Sequence, residues 1–224
     1  VQEPSIEVNP ENDGVNNLFL MQEERVGRKL DQSALVDAIV TANETDFAPI
    51  ELSVAETQPK ETLASLQENV QLMRTFTTQY AYVSSRVYNI HRATDAINGT
   101  VIQPGEEFSF NGVVGNTSLA ENGYREAGVI IGGRSATGRG GGVCQAATTL
   151  YNAAVRCDME ITQRAPHAIA STYVPKGQDA TIAYGYYDMA FRNTSDHPIY
   201  IFGSYTDTSV TFMIYGGADL DVAA

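Results

Sequence analysis

The feature that most limits how this chain can fold is the stretch GRGGGVCQAATTLYNAAVRC, residues 138–157. Four glycines and Arg139 fill its first five positions, and a helical pattern follows at once. Ala146, Ala147, Leu150, Ala153, Ala154 and Cys157 share one face at a period of 3.6. A flexible glycine loop is therefore expected to feed a buried helix, with Cys144 in its first turn. Unpaired backbone N–H groups and the positive end of the macrodipole favour a thiolate at that position. A second reading stands beside it: small residues here let the helix approach a sheet closely, and Cys144 is simply a small buried apolar side chain. A disulfide to Cys157 is excluded if one helix joins the two. Thirteen residues at about 1.5 Å each set them roughly 20 Å apart, beyond the ~7 Å reach of a bridge. The lysine and Ser/Thr of a phosphate-binding loop are absent.

The chain has 224 residues and 43% hydrophobic content, enough for one large domain or for a medium one with a small companion. Its formal charge of -13 excludes nucleic acid as an expected partner, since that binding rests on Lys and Arg neutralising phosphates. The acidity is uneven. Residues 1–70 carry 4 basic and 14 acidic side chains, and residues 71–224 carry 10 and 13, which marks a two-part chain. No run of about 18 apolar residues exists, so this segment is expected to make no membrane contact and any anchor to lie upstream. Eleven Arg against three Lys, and twelve Tyr with no Trp, suit a surface that hydrogen-bonds and stacks on polar ligands. Two cysteines and three scattered histidines lack metal-site spacing, and clustered aspartates are missing, so no metal and no cofactor is expected. Oligomeric state is not encoded in any of these features.

Along the chain, Ile6 and Val8 suggest a short strand. Asp31 or Ser33 can cap a helix to about Asn43 carrying an apolar stripe of Leu35, Val36, Ile39 and Val40. Ile50, Leu52 and Val54 alternate as a strand, which makes a small strand-helix-strand segment closed by Pro59. Residues 60–68 offer one or two helical turns, and Val70, Leu72 and the Thr-rich run after Arg74 read as a strand. Ser84–Asn98 predicts a helix ending at Gly99. Strands are expected at 107–111, 126–133, 160–163, 181–187, 189–192, 199–204 and 210–215. The pattern is α+β: a mostly antiparallel sheet with two or three helices packed on it.

His167 follows Pro166 and lies 23 residues after Cys144. A helix and a returning strand could bring its imidazole beside the thiol, as a nucleophile-base pair of the papain-like kind. A carboxylate would orient the ring, with Asp179 preferred over Asp188 because a turn end exposes it. His91 and His197 are given no role. Tyr184, Tyr186 and Tyr187 are core or sheet surface by default and could line a glycan or peptide groove.

The segments NGTVIQPGEEFSFN, GYREAGVIIGG, GGGVCQAATTLYNAAVR, RAPHAIASTYVPKGQDAT and DMAFRNTSDHPIYI resemble, in order and spacing, the VanW family over about residues 69–216. Upstream, GRKLDQSALVDAIVTAN and PIELSVAETQP resemble the end of a peptidoglycan-binding domain found before VanW domains. The resemblance implies residues 1–58 as that truncated part and 59–224 as a VanW-like domain. It implies a bacterial envelope protein, extracytoplasmic and associated with peptidoglycan or muropeptides, in a family named for glycopeptide-resistance clusters. It supplies no reaction. It marks Cys144, Gln145 and His167 as site positions, and Ala146-Ala147-Thr148-Thr149 stands where a Ser-rich turn is expected, leaving hydroxyl chemistry to the threonines.

The first functional expectation is binding of stem peptide or glycan in a groove beside the 138–145 glycine loop, using Arg139, Gln145, Thr148, Tyr173 and Asp188. The alternative is a cysteine hydrolase or transferase acting on an amide bond of peptidoglycan, with Cys144 as nucleophile, His167 as base, Asp179 as orienter and the Gln145 N–H at the oxyanion. The third is an architectural spacer.

Overall fold

A computed structural model of the chain describes residues 1–44, 49–131 and 134–217. These form two compact units, one of Val1–Glu7 with Leu20–Gln67, the other of Val8–Phe19 with the chain from Glu68 on. The first unit holds all but the last residue of β1 (Ser5–Val8) and all but the first of β2 (Phe19–Gln22), which pair with each other, then β3 (Gly27–Leu30) and the helix α1 (Gln32–Glu44). It continues with β4 (Val54–Thr57), antiparallel to β3, and the short helix α2 (Leu63–Gln67). The strand expected from Ile50 thus starts four residues later, at Val54. Asp31 does cap α1, its Oδ1 accepting from the N–H of Ala34 at 3.0 Å. The apolar stripe of α1 stays largely exposed at Val36, Ile39 and Val40.

The second unit is built on β5 (Gln71–Gln79), followed by α3 (Ser84–Ile97), β6 (Thr100–Ile102), β7 (Glu107–Ser109) and α4 (Phe110–Val114). Then come β8 (Glu126–Ile131), β9 (Arg134–Arg139), α5 (Val143–Arg156), β10 (Glu160–Gln163), β11 (Ala190–Arg192), β12 (Ile199–Tyr205) and β13 (Ser209–Gly216). Its main sheet runs β5-β13-β12-β6, antiparallel throughout. A second sheet, β10-β11-β7, is also antiparallel, and β8 pairs with β9 as a hairpin. The architecture is α+β, as the pattern of helices followed by a meander implied.

Strict alternation along β13 puts Val210, Phe212 and Ile214 into the core, where α5 packs. From β12, Ile199 and Ile201 join them, and α3 lies over that strand with Val87, Ile90, Ala93 and Ile97 facing in. The other face of the sheet is covered by the 8–19 segment. There Phe19 sits edge-on to Tyr200, Phe202 and Tyr215 with ring centroids 5.2, 5.2 and 5.7 Å away.

Two expected strands are corrected. Of the strand expected over 107–111, Glu107–Ser109 form β7 and residues 110–111 instead open the helix α4, because the Ser109 side chain accepts from the N–H of Gly112 and caps it. Residues 181–187 form only isolated bridges around a tight turn closed between Ala183 and Tyr187, with Gly185 at φ +80°. Of the strand expected over 126–133, residues 132 and 133 lie outside the described residues.

Candidate active site

The start of α5 is fixed by close packing. The expected loop is shorter than the sequence suggests, since Gly138 and Arg139 belong to β9 and only Gly140–Gly142 turn the chain. A Cβ at Gly141 would fall 2.5 Å from the carbonyl oxygen of Gly128. At Gly142, where φ is +107°, it would fall 2.9 Å from Cγ of Arg86 on α3. Buried Asn89 of α3 secures the same corner: its Nδ2 donates to the carbonyls of Arg125 and Gly141, and its Oδ1 accepts from the Arg125 N–H at 2.7 Å. The glycines are thus filled in by neighbours and form no open, flexible cradle.

Three side chains spaced four apart on one face of α5 then bind the extended segment 178–182 along the helix. Asn152 Nδ2 donates to the Gln178 carbonyl at 2.7 Å. The Thr148 hydroxyl donates to the Ala180 carbonyl and accepts from its N–H, at 3.0 and 2.9 Å. Cys144 Sγ meets Thr181 Oγ1 at 3.6 Å and the Ile182 carbonyl at 3.7 Å. This i, i+4, i+8 row is what delivers Asp179 to the neighbourhood of the thiol.

Asp179 Oδ2 accepts from His167 twice, from its backbone N–H at 2.7 Å and from Nδ1 at 2.6 Å. With Nδ1 engaged, Nε2 is the ring nitrogen left free for a further partner. Arg164 holds the carboxylate from behind: Nη2 reaches Oδ1 at 3.2 Å, and Nε donates to the Asp179 carbonyl at 2.7 Å. The His167 and Asp179 side chains are 14% and 7% exposed, so these pairings are screened little. Cys144 is half-buried.

Burial of the Cys144 sulfur works to raise its pKa, but hydrogen bonding to His167, the Ile182 backbone and Thr181, with the imidazolium charge, outweighs it and the thiol pKa is lowered. The same hydrogen bond to Cys144 is the largest influence on His167 and raises its pKa against the effect of burial, with Asp179 adding to the rise. Burial would raise the Asp179 pKa, but the hydrogen bonds from His167 lower it. The three shifts together favour thiolate, imidazolium and carboxylate. Cys157, at the far end of α5, contrasts with this: it is free and fully buried, and burial pushes its thiol up to about 12.

The structure therefore brings Cys144, His167 and Asp179 together. Tyr173 feels the same charges: burial raises its phenol to about 12, Cys144 and Asp179 add to the rise, and Thr148 and Arg86 oppose it. Other positions named from sequence are occupied by structural duties. Gln145 is 1% exposed and its amide is fully engaged, with Nε2 on Thr78 Oγ1 and the Gln79 carbonyl and Oε1 on Arg86. Its backbone N–H, expected at an oxyanion, already donates to the Gly142 carbonyl at 2.9 Å. Among the described residues the Cys144 N–H has no acceptor, which makes it the donor open to a developing oxyanion.

Thr148 is buried, so neither it nor Gln145 can touch a ligand directly. The Asp188 carboxylate takes Ser109 Oγ at 2.5 Å and the N–H groups of Asn111 and Met189, which fixes the β7–α4 junction. Arg139 donates to the Tyr124 carbonyl at 2.8 Å and lies 4.0 Å from Glu126. Tyr184, Tyr186 and Tyr187 are exposed, Tyr186 at 87%, on the turn that follows the two residues touching the sulfur. His91 stacks on Tyr205, away from this constellation in sequence and in its contacts. Arg164, Asn89 and Asn152 were not nominated from sequence. The one available signal was the four-residue spacing of Cys144, Thr148 and Asn152 on a helix otherwise rich in alanine.

Among the described residues no cluster of His, Cys, Asp or Glu could hold a metal, and no helix is long and apolar enough to cross a membrane. A family model described as VanW like protein matches residues 85–215, a span that contains all three of Cys144, His167 and Asp179. The chain belongs to the VanW family. Within it, this VanW domain is 43% identical to the uncharacterized protein YoaR of Bacillus subtilis over 117 residues, 52% of this chain and 38% of that protein. It is 30% identical to the vancomycin B-type resistance protein VanW of Enterococcus faecalis over 139 residues, 60% of this chain and 50% of that protein. The chain thus spans half or less of these curated relatives. No solved structure matches it.

Proposed function

We propose that this VanW domain is a cysteine-dependent acyl-transfer enzyme that cleaves or exchanges an amide bond in the peptide part of peptidoglycan, outside the cytoplasmic membrane. The observation that carries the reading is the 2.6 Å contact of His167 Nδ1 with the buried Asp179 carboxylate, in an imidazole that lowers the pKa of the Cys144 thiol. A binding module has no need of matched pKa values, so this favours turnover over retention of a ligand. The substrate class is supported by the likeness to a vancomycin B-type resistance protein and by the family resemblance to envelope proteins.

The chemistry follows from the geometry. Thiolate Sγ attacks the carbonyl carbon, the C–S bond forms, and negative charge moves to the carbonyl oxygen facing the Cys144 N–H. Collapse breaks the C–N bond, and the amine leaves with the proton from His167 Nε2. Water or a second amine then attacks the thioester, His167 takes its proton, and the thiolate is released. Asp179 keeps the ring in the productive tautomer and stabilises the imidazolium.

The test is incubation with purified cross-linked and uncross-linked muropeptides, followed by mass spectrometry. Peptide products and a thioester adduct on Cys144 are expected with the wild type, and neither with Cys144→Ala. Retention of muropeptides with no product from either protein overturns the enzymatic reading.

A further inference from the structure

In a chain of net charge -13, one arginine at the site lacks an acidic partner. Arg86 of α3 is half-buried, and among the described residues it forms no ion pair. Its Nη2 donates to Oε1 of Gln145, the residue next to Cys144, at 2.5 Å. That amide cannot turn away, because its Nε2 is held by Thr78 and the Gln79 carbonyl. The stem of Arg86 lies against Gly142, two residues before Cys144, in the space that a side chain there would take. Its charge also reaches the Tyr173 hydroxyl, which senses Cys144 and Asp179 as well. The guanidinium is thus fixed at the first turn of α5, beside the residue next to Cys144, with one N–H engaged and, among the described residues, no hydrogen-bond acceptor on the others. That arrangement suits a carboxylate, which accepts two parallel N–H bonds in the plane of the fork.

We propose that Arg86 binds a free carboxylate of the acyl-donor peptide, so that Cys144 acts on an amide bond close to a terminal or side-chain carboxyl group. The inference rests on the acyl-transfer reading and adds the chemical feature that selects the substrate. Gln145 is a positioning residue in it: it holds the fork and never touches the ligand.

Alkylation with two small reagents separates the two ideas. Iodoacetate carries the carboxylate, iodoacetamide is its neutral counterpart, and the rate of each at Cys144 is followed by peptide mass spectrometry at low salt. The ratio of the two rates cancels any change in thiol reactivity, and His167 contributes to it in every variant. Arg86→Gln is expected to lower the iodoacetate to iodoacetamide ratio about tenfold, the scale of one charge-assisted contact, and Arg86→Lys to recover most of it. An unchanged ratio in Arg86→Gln overturns the proposal and leaves the acyl-transfer reading standing. A Cys144 that reacts with neither reagent overturns both.

A second measurement needs no variant. An N-acetyl dipeptide with a free C-terminal carboxylate is expected to protect wild-type Cys144 from iodoacetamide, and the same dipeptide as its C-terminal amide is not. Equal effects of the two, whether protection or none, count against Arg86 as the carboxylate site.

Discussion

At the scale of residues, His167 and Asp179 act on Cys144 in separable ways. Replacing His167 by Ala removes the largest influence that lowers the thiol pKa and leaves only Ile182 and Thr181 to oppose burial, so alkylation should require higher pH. Asp179→Asn should keep much of the geometry but place an amide where a carboxylate accepts two N–H bonds from His167, favouring the wrong tautomer. A loss of ~10²–10⁴ in turnover is expected, read as product formation from muropeptide. The Asp179 carboxyl has its pKa lowered in the folded state, so its contribution to stability is present above the usual value of 3.8 and is lost as pH falls through the folded value. Urea titrations should therefore show wild type more stable than Asp179→Asn near neutrality, with the gap closing under acid. An invariant gap down to the acid limit would contradict that assignment. From sequence, Cys144 stood out by its place in the helix and His167 by the returning chain. The state of the Gln145 N–H was not legible, because it depends on how tightly the glycine turn closes.

Among elements, the governing one is α5 and the corner that starts it. Gly142→Ala forces a side chain into φ +107° and against the stem of Arg86, and should cost about 1–3 kcal/mol, visible as a fall in Tm. Thr148→Val removes a hydroxyl that both donates to and accepts from Ala180, leaving those backbone groups unpaired in the core. About 1–3 kcal/mol of destabilisation is expected by urea titration. The helix itself was readable because its apolar face repeats cleanly over four turns. The run 181–187 was not, since its tyrosines and β-branched residues carry strand propensity while Gly185 and the Ala183–Tyr187 bonds close a turn. Phe110 and Asn111 differ for a related reason: alternation over 107–111 suggests a strand, and a single Ser109 cap bond ends it at Ser109 and starts α4.

On the scale of the whole molecule, the compact unit that carries the site is not contiguous in sequence. Residues 8–19 return to cover the outer face of its main sheet, which the acidic composition of residues 1–70 concealed. Phe19→Ala should therefore destabilise this unit by about 1–3 kcal/mol by removing edge contacts with Tyr200, Phe202 and Tyr215. The site likewise draws on distant parts of the chain: α3 supplies Arg86 and Asn89, α5 the thiol, and the 164–182 segment the imidazole, carboxylate and Arg164. Its central claim is that the imidazole activates the thiol, and the pH dependence of iodoacetamide alkylation at Cys144 tests it directly. The account predicts an inflection well below about 8.5 in the wild type, moved to about 8.5 or higher by His167→Ala. A wild-type inflection already at or above that value, or one that His167→Ala leaves in place, would contradict it.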